Sequence, residues 1–165
     1  WYMMTRNKSF MIYGFPCLIF SFYTFYLLSL EITLVLFVIL ICISTDIGGY
    51  VFGKIFKGPK LTKISPKKTY SGMIGGYFLS LISLTTLTSW IDYPNVPIQF
   101  FIITIIISTV SQIGDITISY FKRLSKIKDT GKIIPGHGGL LDRIDGMIFA
   151  FPIFHLINLT GYLNV

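Results

Sequence analysis

The sequence predicts an all-α, polytopic transmembrane helix bundle of about five spans, a single integral membrane domain over residues 1–165. Three observations predict it. The chain is 53% hydrophobic and 13% charged, where a soluble domain carries about 25% charged residues, and its mean hydropathy is +0.71. Apolar runs near the roughly 20 residues that a bilayer core demands recur along it. Its net charge of +7 is concentrated in alternate connections.

The spans follow in order. Phe10 to Leu30 is the first, and Glu31 marks a tight turn into a second from about Ile32 to Phe52. Residues 53–70 are basic and broken by Gly58-Pro59 and Ser65-Pro66. The third span runs from about Ser71 to Trp90, and Asp92 to Pro97 makes a short polar turn. The fourth runs from Pro97 to about Tyr120, and a short fifth from Gly146 to about Leu163.

Charge orients these spans. Arg6 and Lys8 precede the first, the lysines from Lys54 to Lys68 follow the second, and Lys122 to Arg143 follow the fourth. An even number of crossings separates each pair, so all three groups share one side, expected to be cytoplasmic. The turns at Glu31 and Asp92 contain no Lys or Arg and fall opposite. Charge of this kind is loop asymmetry, and no nucleic-acid partner is expected. Cys17 and Cys42 stand singly in apolar stretches, without metal-ligand spacing. The chain opens on Trp1 and shows no cleavable signal peptide, so the N-terminus reads as a fragment boundary with spans missing upstream.

Polar residues inside the spans point to a site. At about 100° per residue, Thr104, Ser108, Ser111, Asp115, Ser119 and Lys122 share one face of the fourth span, with Gln112 at its edge. Lipid cannot satisfy such a stripe, so it faces the bundle interior or a wet cavity. Helix–helix packing accounts for Thr104 and Ser108. It does not account for Asp115, which costs several kcal/mol if ionised and unpaired in a bilayer. Cys42, Asp46, Gly49 and Gly53 share a face of the second span, with Tyr50 beside them. Asp46 reads as a functional carboxylate or as a solvated helix end. Gly72, Gly76 and Ser80 form a small-residue packing face, and His155 reads as a packed or interfacial histidine.

The loops supply the rest. Ser65-Pro66-Lys67-Lys68-Thr69 offers ammonium groups and hydroxyls just before a helix, a plausible phosphate clamp. Pro135-Gly136-His137-Gly138-Gly139 allows backbone N–H groups to converge on an anion. Asp142, Arg143 and Asp145 follow directly, and hard carboxylates bind Mg²⁺ together with phosphate oxygens. Lysines, a glycine turn and carboxylates are the parts of phosphoryl or nucleotidyl transfer.

Ser119-x-x-Lys122-Arg123-x-x-x-x-Lys128-Asp129, followed by Pro135-Gly136-His137-Gly138-Gly139-x-x-Asp142-Arg143-x-Asp145, closely resembles the signature of the phosphatidate cytidylyltransferases, or CDP-diacylglycerol synthases. Asp46-x-Gly48-Gly49-Tyr50-x-x-Gly53 and Ser65-Pro66-Lys67-Lys68-Thr69 are similar to further motifs of that family. The resemblance covers roughly residues 42–160. It implies an integral enzyme of the bacterial inner (plasma) membrane that condenses CTP with phosphatidic acid to CDP-diacylglycerol and pyrophosphate. It implies Mg²⁺, with room for a second, monovalent cation such as K⁺, and leaves a homodimer open. Asp115 and Asp142 match the family's metal-site aspartates, with Asp145 either a third ligand or the group that orients Arg143. Lys122, Arg123 and His137 match its catalytic polar surface. Ser65, Lys67, Lys68, Thr69, Ser119, Lys128, Gly138, Gly139, Arg143 and Asp46 match substrate-binding positions. Ser71 stands where an acidic residue is usual, and Gly146 where a serine is common.

Two other readings stand beside this one. A CTP-dependent lipid kinase would release CDP instead of pyrophosphate. An ion-coupled transporter would use Asp46 and Asp115 as cation sites, leaving the glycine-histidine turn without a role.

Overall fold

The computed structural model describes residues 8–62, 65, 68–90, 97–126 and 144–162, with side chains from Gly14 onward, that of Trp90 apart. Each of the five expected spans contains a helix: α1 (Lys8–Leu28), α2 (Ile32–Phe56), α3 (Tyr70–Trp90), α4 (Ile98–Leu124) and α5 (Met147–Leu159). Among the described residues there is no strand, only an isolated antiparallel bridge between Lys60 and Thr69.

Among the described residues, three helices are long and apolar enough to cross a membrane: α2, α3 over Tyr70–Ser89, and α4. The apolar stretches of α1 and α5, Gly14–Leu28 and Met147–Leu159, are shorter. Large apolar side chains stand exposed on the outer faces, among them Phe22, Tyr26, Ile74, Phe78, Ile105 and Ile113. Bilayer can cover such a surface where water cannot. The chain is an integral membrane protein.

Two helices overrun their expected ends. α2 continues four residues beyond Phe52 and places Lys54 in its last turn, where a cation complements the helix dipole. It stops at Lys57, which is left-handed at φ 53°, just before Gly58-Pro59. α4 continues beyond Tyr120 to Leu124 with Lys122 and Arg123 in its last turn, for the same electrostatic reason. α5 ends earlier than expected, because Gly161 turns left-handed at φ 71° after Leu159.

The most extensive interface joins α2 to α3, while α5 packs on α1 and α4. Val38 and Ile41 of α2, Leu84 of α3, Ile103 and Ile107 of α4 and Phe154 of α5 are fully buried and form the common core. Hydroxyls stitch the helices across it. Ser44 bonds Ser83 between α2 and α3, Thr45 bonds Ser108 at 2.9 Å between α2 and α4, and Tyr77 bonds Thr109 at 2.9 Å between α3 and α4. In an apolar solvent such bonds specify which helix faces meet. The stripe on α4 turns inward as its periodicity requires, with Thr104, Ser108, Ser111 and Lys122 all buried.

Candidate functional site

A cavity of about 310 Å³ opens where α2, α3 and α4 meet the α2–α3 loop. Asp46, Gly49 and Tyr50 of α2 line one wall. Gln112, Asp115 and Ser119 of α4 line another. Ser65, Lys68 and Thr69 of the loop, with Gly72 at the start of α3, close the third.

Small residues make room for these walls to meet. A Cβ at Gly72 would collide with the Gly49 carbonyl oxygen. Packing this close brings the N-terminus of α3 beside the polar face of α2, as a side chain at Gly72 would prevent.

The loop is tied into a defined shape. The Leu61 N–H donates to the Lys68 carbonyl at 2.7 Å, the Tyr70 N–H to Pro59 at 3.1 Å, and the Lys68 N–H to Ser65 at 3.0 Å. The Thr62 hydroxyl accepts from the Ser65 N–H at 3.1 Å. Thr69 then caps α3, its hydroxyl accepting the Gly72 N–H at 3.1 Å and bonding Ser71 at 3.0 Å. These contacts aim Lys68 and the positive end of the α3 dipole into the cavity.

Lys68 forms an ion pair with Asp115, the two side chains being 23% and 30% exposed. Exposure at this level makes the pair exchangeable rather than a source of stability. A second pair lies deeper. Lys122 Nζ stands 3.9 Å from Asp145 Oδ2, and the Gly146 N–H donates to Asp145 Oδ1 at 2.9 Å. Burial, reinforced by the negative charge of Asp115, pushes the Asp145 carboxyl up to about 7, against the pull of Lys122 and the Gly146 N–H. Asp115 also acts electrostatically on Asp46. Its charge thus bears on both of the other carboxylates, and Lys68 and Lys122 answer the cluster.

The structure brings Asp46, Ser65, Lys68, Thr69, Asp115 and Ser119 together around one cavity, from separate elements. Lys122 and Asp145 pair with each other beside it. Arg123 is exposed on the last turn of α4, outside the cavity lining. Lys67, Lys128, His137, Gly138, Gly139, Asp142 and Arg143 lie outside the described residues. Sequence reasoning assigned no role at the site to Thr45, Met73 or Leu61, which also line the cavity. Thr45 adjoins Asp46, so only its neighbour signalled it. Gln112 showed as the edge of the α4 stripe.

The donor set suits phosphate and a hard cation. Hydroxyls, an ammonium and a helix N-terminus address anionic oxygens. The Lys68 ammonium stands in at Asp115 for a positive charge, so this carboxylate fits a cation such as Mg²⁺. Among the described residues no three carboxylate, imidazole or thiol groups converge on a single point.

Comparison with known proteins bears on the same residues. A family model described as the cytidylyltransferase family matches residues 2–160. The phosphatidate cytidylyltransferase of Staphylococcus saprophyticus is 41% identical over 124 residues, covering 74% of this chain and 48% of that protein. The Rickettsia typhi protein of the same name is 46% identical over 124 residues, covering 70% of this chain and 54% of its own length. That of Staphylococcus aureus strain COL is 42% identical over 125 residues, with 74% and 48% covered. The chain therefore spans about half the length of the relatives it matches.

Proposed function

The chain belongs to the cytidylyltransferase family, and from that premise we propose that it carries the catalytic half of a phosphatidate cytidylyltransferase, an enzyme of phospholipid biosynthesis. A phosphate oxygen of phosphatidic acid attacks the α-phosphorus of CTP. The bond from that phosphorus to the β-phosphate bridging oxygen breaks, pyrophosphate leaves with its electron pair, and CDP-diacylglycerol remains. The observation that carries this reading is the cavity in which Lys68, Thr69 and the α3 N-terminus face Asp115 across about 310 Å³.

Phosphatidic acid supplies the nucleophile and CTP the leaving group, so direct displacement needs no covalent intermediate on the protein. Its work is to hold two phosphates in line and to neutralise charge as it moves between them. Lys68, Ser65, Thr69 and the capped start of α3 bind phosphate oxygens, with Lys67 as a second ammonium on the same loop. Ser119 and Asp46 face the bound substrate from α4 and α2. Lys122 and Arg123, with Lys128, His137, Gly138, Gly139 and Arg143, form the nucleotide side of the site. Asp115, with Asp142 and Asp145, would hold Mg²⁺, which when bound supplies Lewis-acid neutralisation of the phosphate oxygens. A monovalent cation such as K⁺ belongs to the same proposal.

The α2–α3 loop meets the C-terminal half of α4 at one end of the bundle. That proximity supports the orientation in which both basic segments face the cytoplasm, at the inner membrane of a bacterium. The partners on this reading are CTP, phosphatidic acid and surrounding lipid. Assembly as a homodimer is part of it, resting on the resemblance, and sedimentation in detergent measures it.

The test is to supply the full-length protein in detergent or nanodiscs with labelled CTP and phosphatidic acid. Mg²⁺-dependent appearance of CDP-diacylglycerol and pyrophosphate is expected. Release of CDP with a phosphorylated lipid would instead identify a lipid kinase, and no lipid product at all would remove the proposal.

A further inference from the structure

We propose that Lys68 is a latch that makes cation binding and phosphate binding depend on each other: without phosphate its ammonium occupies Asp115, and phosphate draws it away and frees that carboxylate. The proposal rests on the functional reading above and concerns how the site loads.

Three observations carry it. The Lys68 ammonium pairs with Asp115 inside the cavity, on the carboxylate that a hard cation would need. Two positive charges cannot share one small carboxylate cheaply, so the ammonium and a divalent ion compete for it. The backbone under Lys68 is fixed, by the Leu61–Lys68 bond at 2.7 Å, the Lys68–Ser65 bond at 3.0 Å and the Lys60–Thr69 bridge. Movement therefore falls to the side chain, whose flexible four-carbon stem swings with no change in the loop. Finally, an alternative partner site lies within the same cavity. Thr69 and Gly72 at the start of α3 line it, and a phosphate there would gather the helix dipole, the Thr69 hydroxyl and the ammonium together.

Linkage follows. If phosphate removes a competitor for Asp115, it tightens cation binding, and the cation must tighten phosphate binding by the same factor. In a site built this way Asp115 keeps a countercharge when no ligand is bound, and metal alone binds more weakly than metal with phosphate. The Lys68–Asp115 pair is partly solvated, so exchanging it costs little compared with a buried pair.

The test measures Mn²⁺ binding to the full-length protein by electron paramagnetic resonance, with and without inorganic phosphate, correcting for Mn²⁺–phosphate association. Wild type is expected to bind Mn²⁺ about tenfold more tightly with phosphate present, a coupling of about 1.4 kcal/mol. Lys68→Met should bind Mn²⁺ alone about tenfold more tightly than wild type, and phosphate should no longer help it. Lys68→Arg should retain the coupling. Unchanged or weaker Mn²⁺ binding in Lys68→Met overturns the latch, as does a wild type indifferent to phosphate, a measurement that needs no variant. Asp115→Asn separates the two levels. If it abolishes Mn²⁺ binding while Lys68→Met leaves it unchanged, the latch alone fails. If Mn²⁺ binds equally well to Asp115→Asn, or does not bind wild type, the cation reading of Asp115 fails and the latch with it.

Discussion

Gly48 of α2 lies against Gly75 of α3 so closely that a Cβ on Gly48 would overlap the Gly75 carbonyl oxygen. The obstacle is backbone, which cannot rotate aside. We predict that Gly48→Val destabilises the protein by about 3 kcal/mol or more, the upper end of overpacking costs. It should also lower activity, because α2 and α3 carry two walls of the cavity. Thermal unfolding in detergent reads the first effect. A variant as stable as wild type would show that the two helices do not approach in this way.

Asp115→Asn separates chemistry from architecture. Its side chain is 30% exposed and its partner Lys68 sits on a loop, so losing the pair should change stability by no more than about 1 kcal/mol. Turnover should fall at least about 10²-fold, the scale on which a group that stabilises transition-state charge is felt. Measuring CDP-diacylglycerol formation beside unfolding temperature decides it. A large loss of stability with residual turnover would make the aspartate structural.

The Asp145 carboxyl has a folded pKa raised from 3.8 to about 7. A raised carboxyl pKa means that the folded state holds its proton longer than the unfolded state. Stability from this group is therefore fully present below about 4 and is lost as pH rises towards about 7. We predict that chelator-treated protein loses stability across that window and that Asp145→Asn flattens the dependence. Unfolding temperatures from pH 4 to 8 provide the check, and a wild-type profile identical to that of Asp145→Asn would contradict the prediction.

Gly146 has no room for a side chain, because a Cβ there would collide with the Ser111 hydroxyl. Gly146→Ser should destabilise by about 1–3 kcal/mol. Ser111→Ala removes the obstructing atom, so the double variant should recover much of that loss. Additive effects in a double-mutant cycle would refute the contact.

Legibility in the sequence followed periodicity. The stripe from Thr104 to Lys122 was readable because one helix fixes the angles among its own residues. Its inward orientation followed from what lipid cannot solvate. The helix ends at Phe56 and Leu124 were not readable, because hydropathy locates the apolar core while the backbone winds on into water with its basic residues. The Lys68–Asp115 pair and the Gly48–Gly75 contact were equally hidden. Each joins residues from different elements, and no spacing within one element encodes their distance. Asp46 and Gly49 pointed to a polar face on α2. Thr69 belonged to a loop already read as a phosphate clamp, whereas the place of Gly72 in the same wall came only from the folded chain.

The glycine seam between α2 and α3 bears on how the protein is made. Both helices emerge from the ribosome before α4, joined by a short loop, and their shared interface is the largest in the bundle. A hairpin that closes first would hold Lys68 in place before the segment bearing Asp115 enters the bilayer. The carboxylate would then be inserted opposite a waiting countercharge instead of into bare lipid. We predict that Ser44→Cys and Ser83→Cys, which replace a hydrogen-bonded pair, cross-link in a membrane-inserted chain that ends at Pro97 and has left the ribosome without α4. Cross-linking only after α4 has emerged would reverse that order of assembly. On this view the loop lysine acts once in the birth of the protein, as the counterion that admits an acid into the membrane.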